Sequence, residues 1–162
     1  NERMSDFDGY IKLGTVKNDL TVVSLTKKEV SISSLSSLDL INLSNDDFDG
    51  HKDKIFFAEL YDKNGKLISR NTELGTAPRD FEFLKPDIKI NVTRENDTVY
   101  LSFTSNVFAR GVYVDFKNHD LILSDNFFDL FSREPYVVSI KTELSEDELL
   151  KDITIMTLYD IS

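Results

Sequence analysis

The sequence contains no cysteine and no tryptophan, and only two histidines, three prolines and six glycines in 162 residues. Without cysteine there is no disulfide framework, no thiolate zinc site and no cysteine nucleophile. The two histidines, His51 and His119, sit in the polar segments Gly50-His51-Lys52 and Asn118-His119-Asp120, and neither has a second ligand at metal-binding spacing. They read as solvated loop residues. No apolar run approaches the ~20 residues of a membrane span, and no signal-peptide pattern opens the chain. The first residue is Asn1 rather than methionine, as expected of an excised or processed piece. Basic charge is short too, since the net charge is -10. Nucleic-acid binders carry a basic patch, so DNA and RNA are not the expected partners.

What is present is a globular composition, with 40% hydrophobic and 30% charged residues, arranged in short alternating runs. Lys54–Tyr61 reads KIFFAELY, Lys66–Arg70 reads KLISR, and Asp62-Lys63-Asn64-Gly65 lies between them. Asn-Gly tolerates positive φ, so a tight hairpin is expected. Upstream, Leu20–Leu25 and Val30–Ser33 read as two strands joined by a polar turn over Thr26–Glu29. Downstream, Ile88/Ile90/Val92, Val99/Leu101/Phe103, Val112/Val114/Phe116 and Val138/Ile140/Thr142 alternate with polar neighbours. A last strand is expected from Ile153 through Tyr159. Period two marks half-buried strands. Ser145 and Glu148 have capping-box spacing, which predicts one helical turn. Many short strands with little helix predict an all-β chain of antiparallel sandwiches. Leu84-Lys85-Pro86-Asp87 suggests a boundary, giving domains at 1–84 and 85–162 of ordinary small-domain size, with a single continuous sandwich as the alternative.

Candidate chemistry is sparse. Asn45-Asp46-Asp47-Phe48-Asp49-Gly50 has the look of a calcium loop, but Phe56 stands where the bidentate glutamate belongs. It reads as a polar loop, and Asp6-Phe7-Asp8-Gly9 as a turn leading into a strand at Tyr10. No metal site and no cofactor are expected. Glycoside cleavage needs two carboxyl groups at defined separation, and no spacing selects a pair. Glu59, Glu73, Asp125 and Asp129 read as outward polar positions, so no catalytic residue is assigned. Asn42-Leu43-Ser44, Asn91-Val92-Thr93 and Asn96-Asp97-Thr98 match the glycosylation pattern, which matters only in a secretory eukaryotic setting. Tyr10, Tyr61 and Tyr136 lie nearest to turns and are the candidates for sugar stacking.

One string is distinctive: Ser124-Asp125-Asn126-Phe127-Phe128-Asp129-Leu130, preceded by Phe108–Phe116. Together they resemble the C-terminal immunoglobulin-like domain of the β-mannosidases, within the β-galactosidase-like glycoside hydrolase superfamily. Leu123 stands where that family has phenylalanine, and of its Pro-Gly-Glu turn only Glu134 is matched. Met4–Gly9 and the Phe57–Asn71 hairpin resemble the preceding immunoglobulin-like domain. The resemblance implies two consecutive antiparallel immunoglobulin-like β-sandwiches, the first truncated at its N-terminus with an edge or apolar face exposed there.

The resemblance also implies a parent enzyme that removes terminal non-reducing β-D-mannose with retention. Its two catalytic glutamates would sit in a TIM barrel of about 250 residues, too large for this chain. Asn1-Glu2 mimics the family's acid/base pair by coincidence. The expected role is non-catalytic packing against the barrel and the other domains, with a homodimer as a further partner and no membrane. A carbohydrate-binding module for manno-oligosaccharides is the alternative, and an unrelated surface adhesin a third reading. The compartment is open; a bacterial parent would favour the cytoplasm.

Overall fold

The computed structural model describes residues 4–40 and 51–161. The Asn45–Gly50 loop, the Asn42–Ser44 acceptor and the Asn1-Glu2 pair lie outside the described residues. Ten strands account for most of the described chain, and no described helix is long and apolar enough to cross a membrane. The chain divides into two compact units, one of residues 1–17 and 21–82, the other of residues 18–20 and 83–162.

The first unit is a four-stranded antiparallel sheet in the order β2-β1-β3-β4. It comprises β1 (Phe7–Lys17), β2 (Val22–Ile32), β3 (Lys54–Asp62) and β4 (Leu67–Leu74). The registers Ile11↔Lys28 and Ile11↔Leu60 put Phe7, Ile11, Val30, Ala58 and Leu60 on one face. Phe7, Ile11 and Val30 form a buried apolar cluster there, with Leu40, Ala58 and Leu60 packed against it. The expected turn at Thr26–Glu29 is instead the middle of one eleven-residue strand. β2 pairs along almost all of β1, so its polar residues are extended rather than turned. They lie on a sheet edge, where charged side chains discourage pairing with another chain.

Of the segment Asp6–Gly9, Phe7–Gly9 is also strand rather than turn, since β1 starts at Phe7. Gly9 is required there, because a Cβ would come within 2.0 Å of the Tyr61 carbonyl oxygen. The β3–β4 hairpin closes as expected, but by a three-residue loop. Gly65 N–H donates to the Asp62 carbonyl (3.0 Å), and Gly65 alone takes the left-handed conformation (φ 81°). The Asp62 carboxylate accepts from Asn64 and Lys66 N–H at 2.8 and 2.9 Å. This is a type I turn with a glycine bulge rather than a two-residue turn.

The second unit is a sandwich of two three-stranded sheets, β5-β6-β9 and β10-β7-β8. The first joins β5 (Ile88–Glu95), β6 (Thr98–Ser105) and β9 (Tyr136–Lys141); the second joins β7 (Ala109–Phe116), β8 (Phe128–Leu130) and β10 (Ile153–Met156). Alternation drives the closure. Val99, Leu101 and Phe103 from β6, Val112, Val114 and Phe116 from β7, and Val138 and Ile140 from β9 form one buried cluster. Burying each such side chain contributes roughly 1.5–3 kcal/mol. Helix α1 (Glu146–Asp152) starts at Ser145 with the full capping box and drives Leu149 into the same core. The expected last strand ends early at Met156. Thr157 accepts no further pairing, because its N–H and hydroxyl both donate to Asp160 (2.8 Å each), which starts the turn α2 (Leu158–Ile161).

Phe103 is fully buried at the centre of this cluster. Phe103→Ala should lower unfolding free energy by about 3–5 kcal/mol. Urea titration checks this, and a loss under 1 kcal/mol (about a third of the expected minimum) would mean the two sheets do not share that core.

Candidate functional site

Two regions gather the residues that the sequence marks out. The first is the face of the four-stranded sheet opposite Phe7, Ile11 and Val30. Register places Lys27, Lys12, Glu59 and Arg70 in one cross-strand row, and Glu29, Tyr10 and Tyr61 in the next. Tyr10 and Tyr61 stack with centroids 4.9 Å apart and 12° between planes. Lys12 Nζ lies 4.8 Å from the Tyr61 centroid, and Lys27 Nζ 3.9 Å from that of Tyr10. Such contacts are attractive because the ring face carries negative quadrupole density. Both rings are half-buried rather than open to solvent.

Glu59 departs from the expected outward polar position: it is 7% exposed. Arg70 Nε and Nη2 donate to Glu59 Oε1 at 3.0 and 2.5 Å, and the Tyr61 hydroxyl donates to Oε2 at 2.8 Å. Two guanidinium nitrogens converging on Oε1, with the phenol on Oε2, hold this carboxylate as a structural anion. Burial, the hydrogen bond to Glu59 and the charge of Glu59 push the Tyr61 phenol up to about 12. Glu73 is exposed, as expected.

The second region is the Ser124–Leu130 segment. Each polar residue in it bonds a backbone or side chain of the sandwich. Ser124 Oγ accepts from Ser139 N–H (2.9 Å). Asp125 accepts from the Tyr136 hydroxyl. Asn126 Oδ1 accepts from Val114 N–H (2.8 Å) while its Nδ2 donates to the Val114 carbonyl (2.9 Å), so one amide imitates a strand partner of β7. Asp129 Oδ1 accepts from Gly111 N–H (2.7 Å), at the point where β7 bulges and Gly111 is left-handed (φ 59°). Phe128 enters the core and stacks on Tyr136 at 4.3 Å. Phe127 points the other way, 69% exposed, with φ 62°. Thus Tyr136 sits with the motif, while Tyr10 and Tyr61 sit together on the other unit.

His119 is not a merely solvated loop residue. Its Nδ1 lies 2.7 Å from Asp152 Oδ2, and Asn118 N–H also donates to that carboxylate at 3.1 Å. The hydrogen bond from His119 is the main cause that holds the Asp152 carboxyl below its ordinary value, against a desolvation penalty that raises it. No group of three or more metal-ligating side chains occurs among the described residues. Sequence reading did not find the Glu59–Arg70 pair or the Asp152 cluster. The signal for the first is register: once Tyr10 faces Tyr61, Lys12 faces Glu59 and Glu59 faces Arg70. For the second no local signal exists, because Asn118 and Asp152 are 34 residues apart.

Residues 83–161 match the model of an Ig-fold domain family, Ig_mannosidase. That span includes the whole distinctive string and its preceding strand. No curated protein matches the chain. Among solved structures, a β-D-mannosidase from Dictyoglomus thermophilum is similar with a TM-score of 0.77 and 16% identity, over 97% of this chain and 19% of that one. An exo-chitosanase from Amycolatopsis orientalis is similar with a TM-score of 0.58 and 15% identity, over 97% of this chain and 23% of that one. The chain therefore spans about a fifth of the length of these structures.

Two titrations check the geometry. In spectrophotometric titration, Tyr61→Phe should remove one tyrosine's worth of the phenolate absorbance that appears near pH 12; an unchanged curve would contradict the buried bond to Glu59. Asp152 has a depressed folded-state value, so it contributes stability above the ordinary carboxylate value of about 3.9 and loses it as pH falls through its own. Asp152→Asn should therefore destabilise at neutral pH and flatten the fall in thermal midpoint below about pH 4. An acid limb as steep as in the parent protein would remove Asp152 from that account.

Proposed function

We propose, from the premise that residues 83–161 are an Ig-fold domain of the Ig_mannosidase type, that this chain is the non-catalytic C-terminal β-sandwich region of a β-mannosidase. The parent hydrolyses terminal non-reducing β-D-mannose residues in β-mannosides with retention, using a barrel outside this chain. On this reading residues 1–84 and 85–162 are consecutive immunoglobulin-like domains, the first represented by one of its sheets. They pack against the catalytic barrel and the other domains of that polypeptide, and fix its shape.

The family match carries the reading, and the local chemistry supports it. The two buried carboxylates among the described residues, Glu59 and Asp152, are each spent on neighbouring donors. A general acid or nucleophile needs a lone carboxyl facing a second one across room for a sugar. The polar residues of Ser124–Leu130 are spent on the sandwich's own backbone and side chains, which is the work of a structural segment. The ring neighbours and lysines against Tyr10 and Tyr61 leave those rings poorly suited to sugar stacking.

The test is an aryl β-D-mannoside assay on this chain and on its parent polypeptide. The parent should release the aryl group and the chain by itself none. Turnover by the chain above a buffer blank, or a parent indifferent to β-mannosides, overturns the reading.

A further inference from the structure

The sandwich of the second unit carries a cleft of about 470 Å³ lined by Arg110, Tyr113, Phe127, Met156, Leu158 and Ile161, beside Gly111 and Thr157. Three observations distinguish it from ordinary surface. Its apolar walls stand in water: Phe127 is 69%, Ile161 75% and Met156 48% exposed. Large apolar groups gathered round one cleft mark an interaction surface, whereas scattered ones do not.

The second observation is that Phe127 is held there. A bulky residue at φ 62° is strained, and such strain persists only where the surroundings impose it. Here Asn126 imposes it, bridging both backbone groups of Val114 while its Oδ1 also accepts from Phe127 N–H (3.0 Å). The Tyr113 ring supports the Phe127 ring at 4.8 Å. Turning Phe127 outward serves no purpose within the sandwich core, which Phe128 fills.

The third is charge. Arg110 Nη1 is buried and has no hydrogen-bond partner. That nitrogen is closed to solvent, but Arg110 as a whole is half-buried and lines the cleft, so its positive charge favours a carboxylate seated there. A sugar fits poorly, since its several hydroxyls need several partners and the Thr157 hydroxyl is committed to Asp160.

We propose that this cleft docks a peptide segment that presents an apolar side chain next to a carboxylate. The apolar group packs on Phe127 and Met156, and the carboxylate pairs with Arg110. The segment belongs to another part of the same parent polypeptide, and that clause alone rests on the proposed function. The Ser124–Leu130 string then has a purpose beyond folding: it shapes one wall of a docking site.

The probe is N-acetyl-phenylalanine, compared with its uncharged N-methylamide and with mannobiose, added to the intact chain and followed by amide and methyl NMR shifts. The carboxylate should shift Gly111 N–H and the Met156 methyl with a Kd of about 1 mM, ordinary for so small a ligand. The amide should bind about tenfold more weakly. Arg110→Gln should abolish that difference between the two probes, and Phe127→Ala should weaken both. Equal binding of acid and amide, or no shifts from either, overturns the proposal. Shifts from mannobiose alone overturn it in favour of a sugar site. Self-association lost in Phe127→Ala, without carboxylate preference, overturns it in favour of a second copy. The comparison needs no folded variant and no mannoside turnover, so its failure leaves the proposed function standing.

Discussion

Closure of two three-stranded sheets over one apolar core is the constraint on which the C-terminal unit depends. Val99, Leu101 and Phe103 are all fully buried, and they face the unit's other sheet through Val112 and Val114, which are equally closed to solvent. Because side chains alternate along a strand, a slip of one residue would turn each of these rows to solvent. Register is therefore fixed by burial, and everything the unit presents outward follows from it. Tyr113 is outward because Val112 and Val114 are inward. Helix α1 is a lid on the same core, anchored by Leu149 and started by the Ser145–Glu148 box.

The Ser124–Leu130 segment solves a local problem in that sandwich. β7 bulges at Arg110 and Gly111, and only Phe128 and Leu130 of β8 pair with it. Asp129 and Asn126 supply the missing hydrogen bonds from side chains, at Gly111 and Val114. Backbone groups that no strand reaches still require partners. This explains why Asn and Asp stand at those positions and why adjacent phenylalanines go opposite ways. Phe128 is core because it opens β8 on the inward side, and Phe127 is surface because its left-handed backbone, beside the Asn126 bridge, turns it out.

The four-stranded unit is built differently. One face of its sheet carries the Phe7, Ile11 and Val30 cluster, while the other carries the stacked tyrosines, two lysines and the Glu59–Arg70 pair at one end and the buried Val16, Ile55 and Leu74 at the other. A buried ion pair of this kind is weak evidence for net stability, since desolvation offsets much of the attraction. Its clearer effect is positional. Glu59 fixes the Tyr61 hydroxyl, and Tyr61 fixes Tyr10 by stacking.

Much was legible in the sequence. Strands with strict alternation, such as Val99–Phe103 and Val112–Phe116, appear where period two places them, and the capping box starts α1 because its signal is local. Motif resemblance also pointed to the fold of residues 83–161. The failures share a physical origin. Thr26–Glu29 has turn-like composition, yet pairing with β1 holds it extended, since cross-strand hydrogen bonds outweigh local propensity. Thr157 looked like strand until Asp160 took its N–H.

What the sequence determined by itself was whatever neighbours along the chain decide: alternation, caps and the glycine turn at Gly65. Only the tertiary structure decided which charges are buried, that Glu59 meets Arg70, that His119 meets Asp152, and that Arg110, Phe127 and Met156 line one cleft. Those meetings join residues separated by up to 46 positions, and their energies depend on distance and solvent exclusion, which no local pattern encodes.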